Sequence, residues 1–242
     1  MSAPGRRPVA QPLHRQLRGL ILERIEAGDW APGTYLPAET RLAEDYGVSV
    51  GTLRKALQDL AIEGILIRRQ GRGTVVASHE GDEALFRFLN LRRADGSRVR
   101  PESRVLARAR RPATAAEAAD LGLAAGDPVV SIRRIREVGG TPAIFEEIAV
   151  SAARFPGLED RPEPLPNTLY HLYQRSHAAT VHQAEEALAA VAAGAEAAAA
   201  LGLPPGAPVL QVLRVAADYQ GTPLERRLSL IRTDDLRYIC RL

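Results

Sequence analysis

The chain repeats itself once, and the repeat limits what it can fold into. Residues 121–130, LGLAAGDPVV, return as residues 201–210, LGLPPGAPVL, at a spacing of 80 positions. Alanine-rich helical stretches at residues 114–121 and 195–201 lead into the copies. Each copy then runs into a strand-like segment (129–137; 209–218), a turn (Gly139-Gly140-Thr141-Pro142; Gln220-Gly221-Thr222-Pro223) and a second strand-like segment. Gly and Pro between β-rich runs are hairpin signals. Two copies are too few for a solenoid, whose repeats bury their faces against neighbours. The pattern predicts one domain with pseudo-twofold halves around an antiparallel sheet.

Residues 36–76 obey a different period. Leu42, Ala43 and Tyr46 share one face of a short helix beginning near Glu39 and Thr40, as packing on a core requires. Gly47 can take the positive φ of a helix-terminating turn. Ser49 is placed as an N-cap, its hydroxyl accepting from an early backbone N–H. Leu53, Ala56, Leu57 and Leu60 then form an inward stripe at helical spacing, and Gly64 ends that helix. Thr52, Arg54, Lys55 and Gln58 occupy the opposite face, where side chains reach phosphates and base edges. Residues 65–67 and 74–76 read as strands around a Gly-rich tip, Gln70-Gly71-Arg72-Gly73. Helix, turn, helix and basic hairpin in that order describe a winged helix-turn-helix, whose second helix enters the DNA major groove. Pro12 is placed to start a preceding helix with Leu13, Leu17, Leu20, Ile21 and Ile25 as its apolar stripe, and Trp30 reads as packing.

Charge agrees with a polyanion partner. The first 79 residues hold 11 Lys+Arg and 8 Asp+Glu, and the chain as a whole has a formal net charge of +3, so the excess lies at this end. Single winged helices bury little surface on DNA, so a homodimer on an inverted repeat is expected, with half-sites about one helical turn (~34 Å) apart. The lone cysteine, Cys240, excludes an internal disulfide framework and fits a reducing cytoplasm. No stretch approaches the ~20 apolar residues of a membrane span, and residues 1–11 read as a disordered tail without a signal peptide. His171, His177 and His182 do not fall at a recognised ligand spacing. With no nucleophile–base pairing either, no metal, no cofactor and no catalytic residue is expected.

These residues resemble the DNA-binding domain of the GntR family of bacterial transcription factors, nearly motif for motif over residues 36–76. The second half resembles the effector-binding (UTRA) domain of its HutC subfamily over residues 85–242, most specifically in the two Leu-Gly-Leu…Gly-X-Pro-Val repeats. The resemblance implies an α+β chain: a winged helix-turn-helix at residues 12–77, a linker at 78–84, and a chorismate-lyase-like antiparallel domain at 85–242. It also places a long strand through about Ala192, where alanine content alone favours helix across residues 181–200. The implied function is ligand-responsive transcriptional regulation, as a repressor released from operator DNA by a small anionic metabolite. The implied DNA-contacting residues are Glu39, Thr40, Ser49, Val50, Thr52, Arg54 and Lys55, with Arg69, Gln70, Gly71 and Arg72 at the wing. Val50 stands where the family usually carries Arg, and Thr40 where it often does, which changes the expected operator sequence.

For the effector, the family's Arg-X-Arg anion pair matches Arg134 and Arg136, on one face of a strand at period-2 spacing. Glu146 matches the acidic residue of the paired strand, Glu225 its second-half counterpart, and Ser103 the first-strand hydroxyl. Thr168 and Tyr170 match the helix start whose backbone N–H groups hold an anion. Ile231 replaces a family Tyr. Simple cross-strand pairing of the arginines with Glu146 or Glu147 is the structural alternative. The fold's relatives include a lyase acting on an aromatic acid, but the residues here support no catalysis.

Overall fold

Pro12, in an extended conformation, leads directly into helix α1 (Leu13–Glu26) in the computed structural model, which describes residues 11–80, 90–162 and 164–240. Leu17, Ile21 and Ile25 are buried, a line at i, i+4, i+8, whereas Leu13 and Leu20 are 54% and 48% exposed. The apolar stripe is thus narrower than the sequence predicts. α1 packs chiefly on one other helix, that of residues Val50–Ile62, and a helix with one main partner buries one line of side chains. Trp30 is buried under the Arg24 guanidinium, 4.2 Å from its ring.

α2 (Glu39–Asp45) buries Leu42 and Ala43, while Tyr46 is its half-buried C-cap. α3 (Val50–Ile62) begins at Ser49, whose hydroxyl accepts from the Thr52 N–H, and it buries the four predicted side chains Leu53, Ala56, Leu57 and Leu60. β1 (Leu66–Arg69) and β2 (Gly73–Val76) close the antiparallel wing, with Arg69 opposite Gly73. These elements belong to the first of two compact units, Met1–Ser78; the second is His79–Leu242. The expected linker straddles that division. His79 belongs to the second unit, where its backbone N–H donates to Gln174 and its ring bonds the Val181 carbonyl at 2.8 Å. Positions 81–84 of the expected linker, residues 85–89 of the expected effector domain and residues 1–10 of the expected tail lie outside the described residues.

In the second unit, six antiparallel strands form one sheet. They are β4 (Glu102–Pro112), β5 (Pro128–Val138), β6 (Thr141–Ser151), β7 (Gln183–Ala192), β8 (Pro208–Ala217) and β9 (Pro223–Ile231), in spatial order β4-β5-β6-β9-β8-β7. That order is what a twofold axis between β6 and β9 produces from two three-strand halves. Helices α4 (Ala115–Leu121) and α6 (Ala195–Leu201), with α5 (Leu169–His177) between them in the chain, occupy equivalent places. Gly122 and Gly202 both cap them at φ 65°, where a side chain would be strained. α5 (Leu169–His177) buries Tyr170 and Tyr173 in a core with Phe155, Ile132 and Ile148. A separate two-stranded ribbon pairs β3 (Leu91–Arg93) with β10 (Leu236–Tyr238).

The opposed signals at residues 181–200 resolve as strand through Ala192, with helix only after Gly194. Every residue of β7 is in register with β8. A ladder of that length outweighs alanine's helix preference, which is a fraction of a kcal/mol per residue.

Candidate functional site

On the first unit, α3 turns Arg54, Lys55 and Gln58 to solvent, and Arg69, Gln70, Gly71 and Arg72 are exposed at the wing tip. Arg54 is not simply solvated. Its Nε donates to Glu39 Oε2 at 2.9 Å, and Arg68 lies 3.7 Å from the other oxygen of the same carboxylate. Arg68 also donates to the Arg54 carbonyl at 3.3 Å. Glu39, at the start of α2, thereby ties together α3 and β1. On DNA these guanidiniums would exchange a carboxylate for phosphate or base-edge oxygens. The hydroxyls of Ser49 and Thr52 lie 2.9 Å apart within the cap, so Ser49 serves the helix start. Thr40 is exposed and Val50 half-buried at the head of α3.

The second unit contains a cleft with about 600 Å³ of space not filled by atoms, part of it open to solvent. β5 brings Arg134 and Arg136 to one face, and both are buried, at 1% and 4% exposure. Their environments differ. Arg134 donates from Nε to Glu146, its direct cross-strand partner, and from Nη1 to the Asn167 carbonyl at 3.3 Å. Arg136 makes one hydrogen bond, 3.3 Å to the side-chain oxygen of Asn167, and its buried Nε has no partner among the described residues. Burial depresses its pKa to about 9; Glu146 opposes the shift, and Arg134, Arg227 and Arg214 deepen it. A guanidinium remains charged at neutral pH even so. Burial, the leading cause, is a cost that an anion placed beside the guanidinium would offset.

Glu146 sits at the centre of the charges. Burial pushes its carboxyl up, but Arg134, Arg227 and Arg136 together hold it well below the ordinary range. Arg227 reaches it at 3.3 Å and clamps Glu225 with two bonds of 2.9 Å. Glu225, fully buried, also accepts from the Tyr170 and Tyr173 hydroxyls at 3.0 and 2.8 Å. Burial and that carboxylate raise both phenols above their usual pKa. On the far side, Arg214 donates to Glu186 at 2.7 Å, Tyr238 donates to the same carboxylate, and Asn90 donates to Tyr238 at 2.8 Å.

The cleft therefore gathers some of the expected residues at its wall and sets others behind. Arg136, Glu146, Thr168 and Tyr170 line it. Thr168 precedes α5 and makes no side-chain cap bond, which leaves the first-turn N–H groups of that helix beside Arg136. Arg134, Glu225 and Ser103 do not line the cleft. The first two fix Glu146 and Tyr170 from behind, and the Ser103 hydroxyl donates to Asn167 at 2.8 Å. The cross-strand alternative describes Arg134 and fails for Arg136.

Sequence reasoning missed Arg214, Arg227, Glu186, Ser229, Tyr238 and Asn90, all on the wall. Two of them were within reach of the repeat. Adding 80 to Arg134 gives Arg214, and the ladder sets Arg227 opposite Arg214 as it sets Glu146 opposite Arg134. By register the counterpart of Glu146 is Arg227, and Glu225 lies opposite Ala216. The remaining four had no such signal. Among the described residues no group of three or more His, Cys, Asp or Glu is placed to hold a metal ion, and no helix is long and apolar enough to cross a membrane.

Comparison with known proteins matches both units. Residues 13–76 match the family described as bacterial regulatory proteins, gntR family, and residues 82–237 match the UTRA domain. The chain is 29% identical over 229 residues to the HTH-type transcriptional repressor NagR of Bacillus subtilis, covering 94% of this chain and 93% of the relative. It is 33% identical over 180 residues to an HTH-type transcriptional repressor of Salmonella typhimurium, covering 73% and 75%. Among solved structures, the ligand-binding domain of a GntR-family regulator from Bordetella bronchiseptica is 34% identical, with a TM-score of 0.58 over 64% of this chain and 97% of that one. These relatives are regulators, not enzymes.

Proposed function

Because this chain belongs to the gntR family of bacterial regulatory proteins and carries a UTRA domain, we propose that it is a cytoplasmic repressor that leaves its operator when a small anion enters the cleft beside Arg136. That it is a ligand-responsive, DNA-binding transcriptional regulator follows from the family. The anion and its site are our reading, and one observation carries it: a buried guanidinium with an unpartnered Nε and no ion pair among the described residues. Burying a charge unpaired is costly, and an incoming anion removes the cost. Arg136, Thr168 and the first turn of α5 would hold the anion, Glu146 and Tyr170 would border the body of the same ligand, and Arg134, Glu225 and Ser103 would keep those residues in place.

On DNA, the reading assigns base recognition to Arg54 with Thr52, helped by Glu39, Thr40 and Val50 at the helix heads. Lys55 and the wing residues Arg69, Gln70, Gly71 and Arg72 contact the backbone, and Ser49 caps the recognition helix. A homodimer would place two such faces on an inverted repeat. The ligand can act only through different affinities for the free and DNA-bound states. The test is a duplex selected from a random pool, titrated by fluorescence anisotropy with and without candidate anions. Release of wild type but not of Arg136→Gln supports the reading. Release of both equally would overturn it.

A further inference from the structure

The charges around the cleft can be counted by partner. Four guanidiniums stand in or against it: Arg134 and Arg136 on β5, Arg214 on β8 and Arg227 on β9. Three carboxylates face them: Glu146 on β6, Glu186 on β7 and Glu225 on β9. α5 and β10 contribute phenols, from Tyr170, Tyr173 and Tyr238. Arg134 pairs with Glu146, Arg214 with Glu186 and Arg227 with Glu225. Among the described residues Arg136 is left over, held only by a neutral amide oxygen. Among the described residues the deficit is one negative charge.

Part of the remaining wall is carbon. Leu91, Ile144, Val212 and Ile231 line the cleft and belong to one buried cluster. Ile231 stands where the resemblance gives the family a Tyr. Asn90 and Asn167 also reach the wall, but their side chains are engaged with Tyr238, Ser103 and the Pro101 carbonyl, which leaves Thr168 and the mostly buried Ser229 as its small polar groups. A polyol against these side chains would lose its bonds to water and gain few in exchange.

We propose that the ligand of this cleft is a small monocarboxylate with an apolar body, its carboxylate on Arg136 and the first turn of α5 and its body against Leu91, Ile144, Val212 and Ile231. This rests on reading the cleft as the effector site and goes past it by fixing the ligand's charge and polarity. A phosphate monoester carries between one and a half and two negative charges at neutral pH. It would replace an unpaired buried cation with an unpaired buried anion. A monocarboxylate closes the count.

Isothermal titration of the full chain at pH 7.5 with four probes separates the terms. Phenylacetate has the proposed charge and body; phenylmalonate adds a second carboxylate; phenyl phosphate exchanges the acid; glucose 6-phosphate exchanges the body as well. Phenylacetate is expected to bind at least tenfold more tightly than each of the others. Arg136→Gln is expected to weaken it at least tenfold without lowering the melting temperature of the unliganded protein, since that side chain has no counter-ion to lose. Equal or tighter binding of phenylmalonate or phenyl phosphate overturns the charge count, and tighter glucose 6-phosphate overturns the apolar body. If Arg136→Gln abolishes whichever binding is seen, the anion site survives that loss. No binding of any probe, or binding indifferent to Arg136→Gln, overturns both.

Discussion

Glu39 restrains two arginines on the face proposed to read DNA, and this has measurable consequences. A carboxylate 2.9 Å from Arg54 and 3.7 Å from Arg68 lowers the attraction of that surface for any duplex. Glu39→Gln removes one negative charge and frees both guanidiniums. Binding to random DNA should tighten, and the slope of log K against log[salt] should steepen by roughly one unit. Arg72→Ala should do the reverse at the wing, flattening the slope by roughly one unit with little change in sequence preference. Arg54→Ala should weaken operator binding by about 1–3 kcal/mol and leave random DNA much less affected. Equal losses on both duplexes would remove its base-reading role. In the cleft, Glu146→Gln leaves Arg134 without its carboxylate and should destabilise the protein by about 3 kcal/mol in urea titration. Arg136 could be named from the sequence as one of a pair, but not distinguished from Arg134. Spacing gives the shared strand face, whereas which arginine meets Glu146 depends on cross-strand register.

At the scale of elements, the two capped helices show how local chemistry sets boundaries. Thr114 and Glu117 cap α4 reciprocally, each side chain bonding the other's backbone N–H, and Arg111 holds Glu117 with two bonds of 2.7 Å. The bond from Arg111 leads the causes that lower the Glu117 pKa from 4.5 to about 2; burial opposes it. An acid depressed on folding stabilises the fold above its unfolded pKa and loses that contribution as pH falls through its folded one. Stability should therefore decline between about pH 4.5 and 2 by less in Glu117→Gln than in wild type, read from melting temperatures across that range. Thr114→Ala should cost about 1 kcal/mol. α6 has glycine at the N-cap and no side-chain bond there, so the same element in the other half relies on packing, an ion pair from Arg133 to Glu196 and a bond from Arg232 to the Leu201 carbonyl. The alanine run before it illustrates the limit of propensity. Of residues 183–192 only Val191 prefers a strand over a helix, and pairing with β8 decides it.

For the whole molecule, the repeat is the organising fact. Applied to strands, it yields the sheet order β4-β5-β6-β9-β8-β7; applied to arginines, it leads from Arg134 to Arg214. Two-fold reading of DNA adds a test at this scale: sedimentation at saturating protein should show two chains per operator duplex, and one chain would sink the inverted-repeat reading. The sequence by itself determined the elements of the first unit, because capping at Ser49, the Leu53–Leu60 stripe and the Gly-rich wing act over a few residues. It also determined that the second unit has two halves, because a repeat survives in the linear order. It did not determine how wide the buried stripe of α1 is, since that depends on how many partners the helix meets. Nor did it determine that Arg134 is neutralised while Arg136 is not, or that Arg227 stands in for Glu146 in the second half. Those outcomes belong to the tertiary structure, because the pairing of buried charges is settled by ladder register between strands remote in sequence, and only there does one guanidinium come out unmatched.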